Sequence, residues 1–190
     1  VTFVVGFVAF FMLFGVLSYL SDVLEQQFHL YNVRKGLALA IPTTVMTVTT
    51  FASGVFLQKH KHFLKPAIIV GMALTTAALL ATPVFDHPLY FFGVVVLIGL
   101  GIGLILPSLN TLITGAASSE ERGVITAFYG TVRFFGVAAG PPTFGAIGFG
   151  NSWLFILAAA ATGLAGVLAF FFINSKLMLS GKSGQIDSNK

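Results

Sequence analysis

The chain has 190 residues, 56% of them hydrophobic and only 8% charged, with a mean hydropathy of +0.96. Soluble domains are about 25% charged, so a soluble globule of this size would have to hide more apolar surface than it can. Disorder is excluded for the opposite reason, because disordered chains are poor in hydrophobic residues. Asp, Glu, Lys and Arg are missing from residues 1–21, 36–57, 66–85, 87–119 and 134–175. Each window reaches the roughly 20 residues that an α-helix needs to cross a bilayer. The chain therefore reads as an all-α polytopic membrane protein. With no cysteine it has neither disulfides nor thiolate metal sites.

Six spans are expected in chain order. The first covers about 2–20, is rich in Phe, and gives way to a polar stretch from Ser21 to Lys35. The second, about 36–57, holds Pro42 and a run of threonines and ends in the basic loop Gln58–Lys65. The third is about 66–84 and closes on the turn Phe85-Asp86-His87-Pro88. The fourth, about 90–115, leads into Ser118-Ser119-Glu120-Glu121-Arg122, whose acids sit where the macrodipole of the next helix favours them. The fifth is about 124–147, and a turn at Gly148–Asn151 separates it from the sixth, about 153–173. Residues 1–173 thus form the transmembrane body, and 174–190 a polar, Gly/Ser-rich tail.

Alternate loops differ in basic charge. One set holds Lys59, Lys61, Lys65, Arg122, Lys176, Lys182 and Lys190; the other holds only Arg34 and Lys35. Lys and Arg collect on the cytoplasmic side, so both ends of the chain are expected there, in the plasma membrane. The net charge of +4 follows from this bias and does not imply nucleic acid. Residue 1 is Val, and Thr2–Tyr19 lacks a basic n-region and an A-x-A site. That stretch reads as a span rather than a signal peptide, and the missing start points to a fragment.

Arg133 is the most informative residue. It lies eleven residues beyond Arg122, about 16 Å along a helix at 1.5 Å per residue, near the midplane of a hydrocarbon core of about 30 Å. A charge there costs at least about 2.5 kcal/mol on insertion scales and normally faces a bundle interior or a cavity. On helical spacing it shares a face with Thr126, Tyr129, Gly130, Val137 and Gly140. It suits contact with a substrate anion or a counter-charge in proton coupling; the structural alternative is pairing with backbone carbonyls or with a carboxylate outside this chain. No acid lies within a span to pair with it, since Asp22, Glu25, Asp86, Glu120 and Glu121 sit at or beyond the ends.

In the second span Thr43, Thr47 and Thr50 follow i, i+4, i+7. This stripe either lines a solute pathway or bonds to carbonyls one turn back. In the fourth span Gly99 and Gly103 form a G-x-x-x-G packing face, not a nucleotide loop, and Pro107 and Asn110 break and polarise the inner half. His60 and His62, with no acid or cysteine beside them, make a poor metal site. No nucleophile and base occur at matching depth, so no enzyme, cofactor or metal is expected.

Gly136-Val137-Ala138-Ala139-Gly140-Pro141-Pro142-Thr143-Phe144-Gly145 resembles the G-x-x-x-G-P-x-x-G-G element of the major facilitator superfamily, with Phe144 in place of the penultimate Gly. Glu120-Glu121-Arg122-Gly123 resembles the loop before that element in drug-efflux members. Gly54–Lys59 with the basic residues after it is similar to the family's G-x-x-x-D-R-x-G-R-[KR] loop, with Gln58 where the acid belongs. Pro107-Ser108-Leu109-Asn110-Thr111 is similar to the tenth span of the same branch. The resemblance covers most of 36–148 and fits the C-terminal six-helix half of a twelve-span transporter. It implies proton-driven export of lipophilic drugs by alternating access, with an N-terminal six-helix half, or a second six-helix subunit, as partner. Arg133, Tyr129, Thr43, Thr47, Thr50 and Asn110 are then expected along the substrate pathway, and Gly136, Gly140, Pro141, Pro107, Gly99 and Gly103 at hinges and packing faces. The alternatives are a lipid or glycolipid flippase of the same fold and an oligomeric channel. Internal similarity between 1–84 and 90–173 separates the channel from the transporter, whose halves contain inverted three-helix repeats.

Overall fold

Six apolar runs form six helices in a computed structural model of the chain, which describes residues 1–82, 88–117, 120–147 and 152–173. They are α1 (Thr2–Gln26), α2 (Asn32–Lys59), α3 (Leu64–Ala81), α4 (Pro88–Ala116), α5 (Arg122–Ile147) and α6 (Ser152–Phe172), with a short 3₁₀ turn at Lys61–Phe63. Each is long and apolar enough to cross a membrane. Ser118, Ser119, the turn at Gly148–Asn151, the tail and most of the turn before Pro88 lie outside the described residues.

Several helices outrun the apolar windows. α1 continues past residue 20 to Gln26, and α2 begins at Asn32 rather than 36. The added turns are polar, and a salt bridge of 2.6 Å from Lys35 Nζ to Glu25 Oε2 clasps them together. His29 and Asn32 take positive φ in the connection between them. α4 carries Pro107 inside it and runs on to Ala116, as the expected fourth span does.

The pairing of helices carries a hidden symmetry. α1 packs chiefly on α5, and α2 on α4; α3 packs on α4 and α6, and α1 touches α6. Exchanging α1–α3 with α4–α6 leaves this map unchanged. Glycine contacts give the directions. Gly136 and Gly140 of α5 lie against Phe7 and Phe11 of α1 in ascending order, and Gly99 and Gly103 of α4 lie against Pro42 and Thr49 of α2 likewise. Both pairs are therefore parallel. α4 is then antiparallel to α1, and the two triplets are inverted repeats of one another. The contacts thus supply the relation between 1–84 and 90–173 that separates the transporter from the channel.

Water cannot satisfy backbone groups in hydrocarbon, so every proline inside a helix raises an accounting question. Pro107 has no N–H, and the carbonyl four residues back, that of Gly103, loses its helical donor. The Ser53 hydroxyl of α2 reaches that carbonyl at 2.8 Å. The same hydroxyl lies 2.6 Å from the Thr49 carbonyl and 3.3 Å from the Thr50 carbonyl of its own helix, so its single proton has three acceptors to serve. Replacing Ser53 by Ala is expected to cost about 1 kcal/mol. On a Pro107→Ala background, where the helix regains its donor, the cost should fall close to zero. Thermal unfolding of the four proteins of this cycle in detergent checks it, and an equal cost in both backgrounds would detach Ser53 from the orphaned carbonyl.

Candidate functional site

The seam between α1 and α5 is built by glycine on both sides. A Cβ at Gly136 would stand 2.6 Å from the Phe7 carbonyl oxygen, and one at Gly140 2.6 Å from that of Phe11. Two aromatic side chains of α5 enter α1 in return. Tyr129 lies over Gly6, and Phe144 lies so closely over Gly15 that any Cβ there would overlap its ring. Phe144 also meets Phe11 and Phe155 edge-on, at 6.1 and 6.2 Å. The departure from the family pattern at Phe144 is thus matched by a glycine on the partner helix, a compensation invisible in the motif itself.

Arg133 lies near the middle of α5, one turn beyond Tyr129, and is half-buried. Its guanidinium carbon stands 4.5 Å from the centroid of the Phe10 ring and 5.6 Å from that of Tyr129. A cation over an aromatic face is held by the ring quadrupole, by about 2 kcal/mol or more where water is excluded. No carboxylate pairs with Arg133 among the described residues. Of the small residues on its face, Gly140 is covered by α1, whereas a Cβ at Gly130 would meet nothing within 4 Å. Phe10 stacks in turn on Phe14, with centroids 6.1 Å apart and planes 18° or less from parallel, as Phe7 does on Phe11. Phe3, Phe7, Phe10 and Phe14 form one half-exposed stripe at i, i+4, i+7, i+11. Sequence reasoning noted the Phe-rich span but missed this stripe, whose spacing was open to inspection.

Tyr129 departs from expectation. It is 2% exposed, enclosed between Gly6 and an edge-on contact with Phe3 at 5.6 Å, because glycine on α1 leaves a ring-sized recess. It does not line an open surface of this chain. Its hydroxyl makes no geometrically complete hydrogen bond among the described residues.

On α2, Thr43 and Thr47 are exposed, and with Gly36, Leu39, Ala40, Thr44 and Val48 they line a groove of about 430 Å³. Their hydroxyls donate one turn back, to Leu39 O at 3.0 Å and Thr43 O at 2.9 Å. Each oxygen keeps acceptor capacity toward the groove, so the two sequence readings of the stripe are compatible. Thr50 is half-buried and its hydroxyl has no partner among the described residues; it lies outside the groove. Asn110 is exposed near the far end of α4, one turn beyond Pro107, away from Arg133 in chain and helix. Gly99 and Gly103 press on α2: a Cβ added at Gly99 would stand 3.0 Å from Pro42 O, and one at Gly103 2.7 Å from Thr49 Cβ. Pro141, half-buried, and Pro142, exposed, sit inside α5 without ending it.

The two helices that carry these groups share an odd property. Only 11% and 17% of the apolar stretches of α2 and α5 are buried, against 39% or more in the other four. They are also the two least hydropathic helices. A helix exposed to lipid should be the most apolar of a bundle. These are the least so, and Thr43, Thr44, Thr47, Thr126, Thr131 and Thr143 are among their exposed residues. Part of their surface is therefore suited to water or to another protein body.

Comparison with known proteins agrees with this architecture. Residues 2–186 match the Major Facilitator Superfamily. The chain is 40% identical over 176 residues to the Bacillibactin exporter of Bacillus subtilis (strain 168), covering 92% of this chain and 44% of that protein. It is 25% identical over 146 residues to Multidrug transporter protein MdtP of the same organism, covering 75% of this chain and 27% of that protein. It spans less than half the length of either relative. The chain belongs to the Major Facilitator Superfamily of membrane transporters.

Proposed function

We propose that this chain forms one six-helix half of an exporter that works by alternating access. The observation that carries the reading is the inverted hydropathy of α2 and α5, the least buried helices being the least apolar. Such faces suit the walls of an aqueous pathway shared with a second six-helix body. The inverted triplets argue in the same direction, since transporter halves are built from such repeats and a substrate site lies between halves near the midplane. A passive oligomeric channel has no need of them.

Within that frame Arg133 and the Phe3–Phe14 stripe serve as the substrate-facing wall of α5 and α1, opposite the hydroxyl stripe of α2. A cation beside aromatic rings suits a small organic molecule with aromatic and anionic character. The similarity to the Bacillibactin exporter favours bacillibactin or a molecule like it over the lipophilic drugs that the motif resemblance implied. Export is coupled to protons. The spans offer no acid or histidine at mid-depth among the described residues, so the carrier belongs to the companion half. Gly136, Gly140 and Pro141 shape the α1–α5 packing face, Pro107, Gly99 and Gly103 its α2–α4 counterpart, and both chain ends face the cytoplasm of the plasma membrane.

Two outcomes follow. Arg133→Ala should lower export by tenfold or more while the protein remains folded, and Arg133→Lys, which keeps charge but not the planar contact with Phe10, should fall between. Flux in energised vesicles, with size-exclusion profiles as the control for folding, measures both; normal flux in Arg133→Ala would make Arg133 structural. Collapsing the pH gradient with a protonophore should stop export by the unaltered protein. Continued uphill export would remove the proton from the mechanism, and currents without any gradient would favour the channel.

A further inference from the structure

The loop joining α2 to α3 concentrates positive charge with nothing to offset it. Lys59, His60, Lys61 and His62 occur together, and no Asp or Glu appears between Glu25 and Asp86. Gln58 stands where the similar family loop has an acid. All four side chains are exposed, and none forms an ion pair with a described residue. α3 starts without a side-chain cap, so the positive end of its dipole adds to the same field. Lys65 turns away, its ammonium 5.4 Å from the ring centroid of Phe170 on α6, and is not counted here.

Next to this loop lies an apolar groove of about 550 Å³ between α2 and α3, floored by Leu104 of α4. Val48, Ala52, Phe56, Phe63, Pro66 and Val70 are among its walls. Two of these walls hold the histidines. The His60 ring stacks on Phe56 with centroids 4.6 Å apart, and the His62 ring lies 4.1 Å from that of Phe63. The cationic rim and the apolar slot are thus one continuous surface. Its occupant should have an anionic head and an apolar tail. A peptide segment fits poorly, since its backbone polar groups would enter hydrocarbon unpaired, and a zwitterionic lipid leaves the rim unmatched.

We propose that the α2–α3 loop and this groove form a binding site for an anionic phospholipid, its phosphate held by Lys59, His60, Lys61 and His62 and one acyl chain lying along Ala52, Phe56 and Val70. The groove adjoins the hydroxyl-lined groove of α2, with which it shares Val48, and its occupancy does not depend on the direction or substrate of transport.

Native mass spectrometry of the native protein in detergent, mixed with phosphatidylglycerol or phosphatidylcholine, tests it. The unaltered protein should retain phosphatidylglycerol at least about tenfold more tightly, as expected for lysines beside an anionic headgroup. Lys59→Gln with Lys61→Gln should abolish that preference. Ala52→Trp, which fills the groove and keeps every charge, should weaken phosphatidylglycerol as well, whereas glycerol phosphate without acyl chains should not displace the lipid. Equal retention of the two lipids by the unaltered protein would overturn the proposal. So would a preference that survives the charge variant, retention unaffected by Ala52→Trp, or displacement by glycerol phosphate. Both variants alter exposed positions, and circular dichroism checks that they stay helical.

Discussion

Helices in hydrocarbon gain little by burying leucine against leucine, because lipid tails are as apolar as the partner. Cohesion has to come from close packing and from paired polar groups, and in this chain close packing means glycine. The α1–α5 seam rests on Gly136 and Gly140, the α2–α4 seam on Gly99 and Gly103, and α3 meets α4 where Gly71 and Gly101 face each other's carbonyl oxygens at 2.5 and 2.7 Å from an added Cβ. Remove that closeness and the placement of Arg133 over Phe10 goes with it, since both belong to the same seam.

The two parallel seams are equivalent in topology and different in chemistry. At α1–α5, rings from one helix fill recesses in the other, and a cation lies across them. At α2–α4 no ring enters: Ser53 supplies the donor that Pro107 lacks, the Thr49 methyl and the Met46 carbonyl border Gly103, and the Met46 side chain borders Gly99. A symmetric frame therefore offers an aromatic, cationic wall on one side and a hydroxyl-bearing wall on the other. A site between two such walls can hold an asymmetric molecule in one orientation.

Much of the frame was legible in the sequence because hydropathy and charge act over whole windows. Helix number came from charge-free stretches, and the spacing of Gly136 with Gly140 and of Gly99 with Gly103 marked packing faces before their partners were known. What remained hidden depended on pairs far apart in the chain. Nothing near Phe144 announces Gly15, and nothing near Pro107 announces Ser53. Tyr129 shows the same limit from the other side: its position on the Arg133 face was correctly read, but whether that face meets a cavity or a neighbouring helix is decided by Gly6, more than a hundred positions away. The helices outrun the apolar windows for a local reason. Polar turns clasped by Lys35 and Glu25 remain helical beyond the apolar window.

The seating of two α5 rings in α1, Tyr129 over Gly6 and Phe144 over Gly15, bears on how such a molecule can move. A seam of bare backbone on backbone would slide freely, having no side chains to re-sort. Here each end of the seam is pinned by a ring seated in a recess of its own shape, and a shift by one helical turn would have to lift both rings out together. α1 and α5 are thereby fastened into a single beam. If the bundle rocks against a companion body, the movement is taken up at the ends of this beam rather than within the seam, and its length turns small rotations at one end into larger openings at the other.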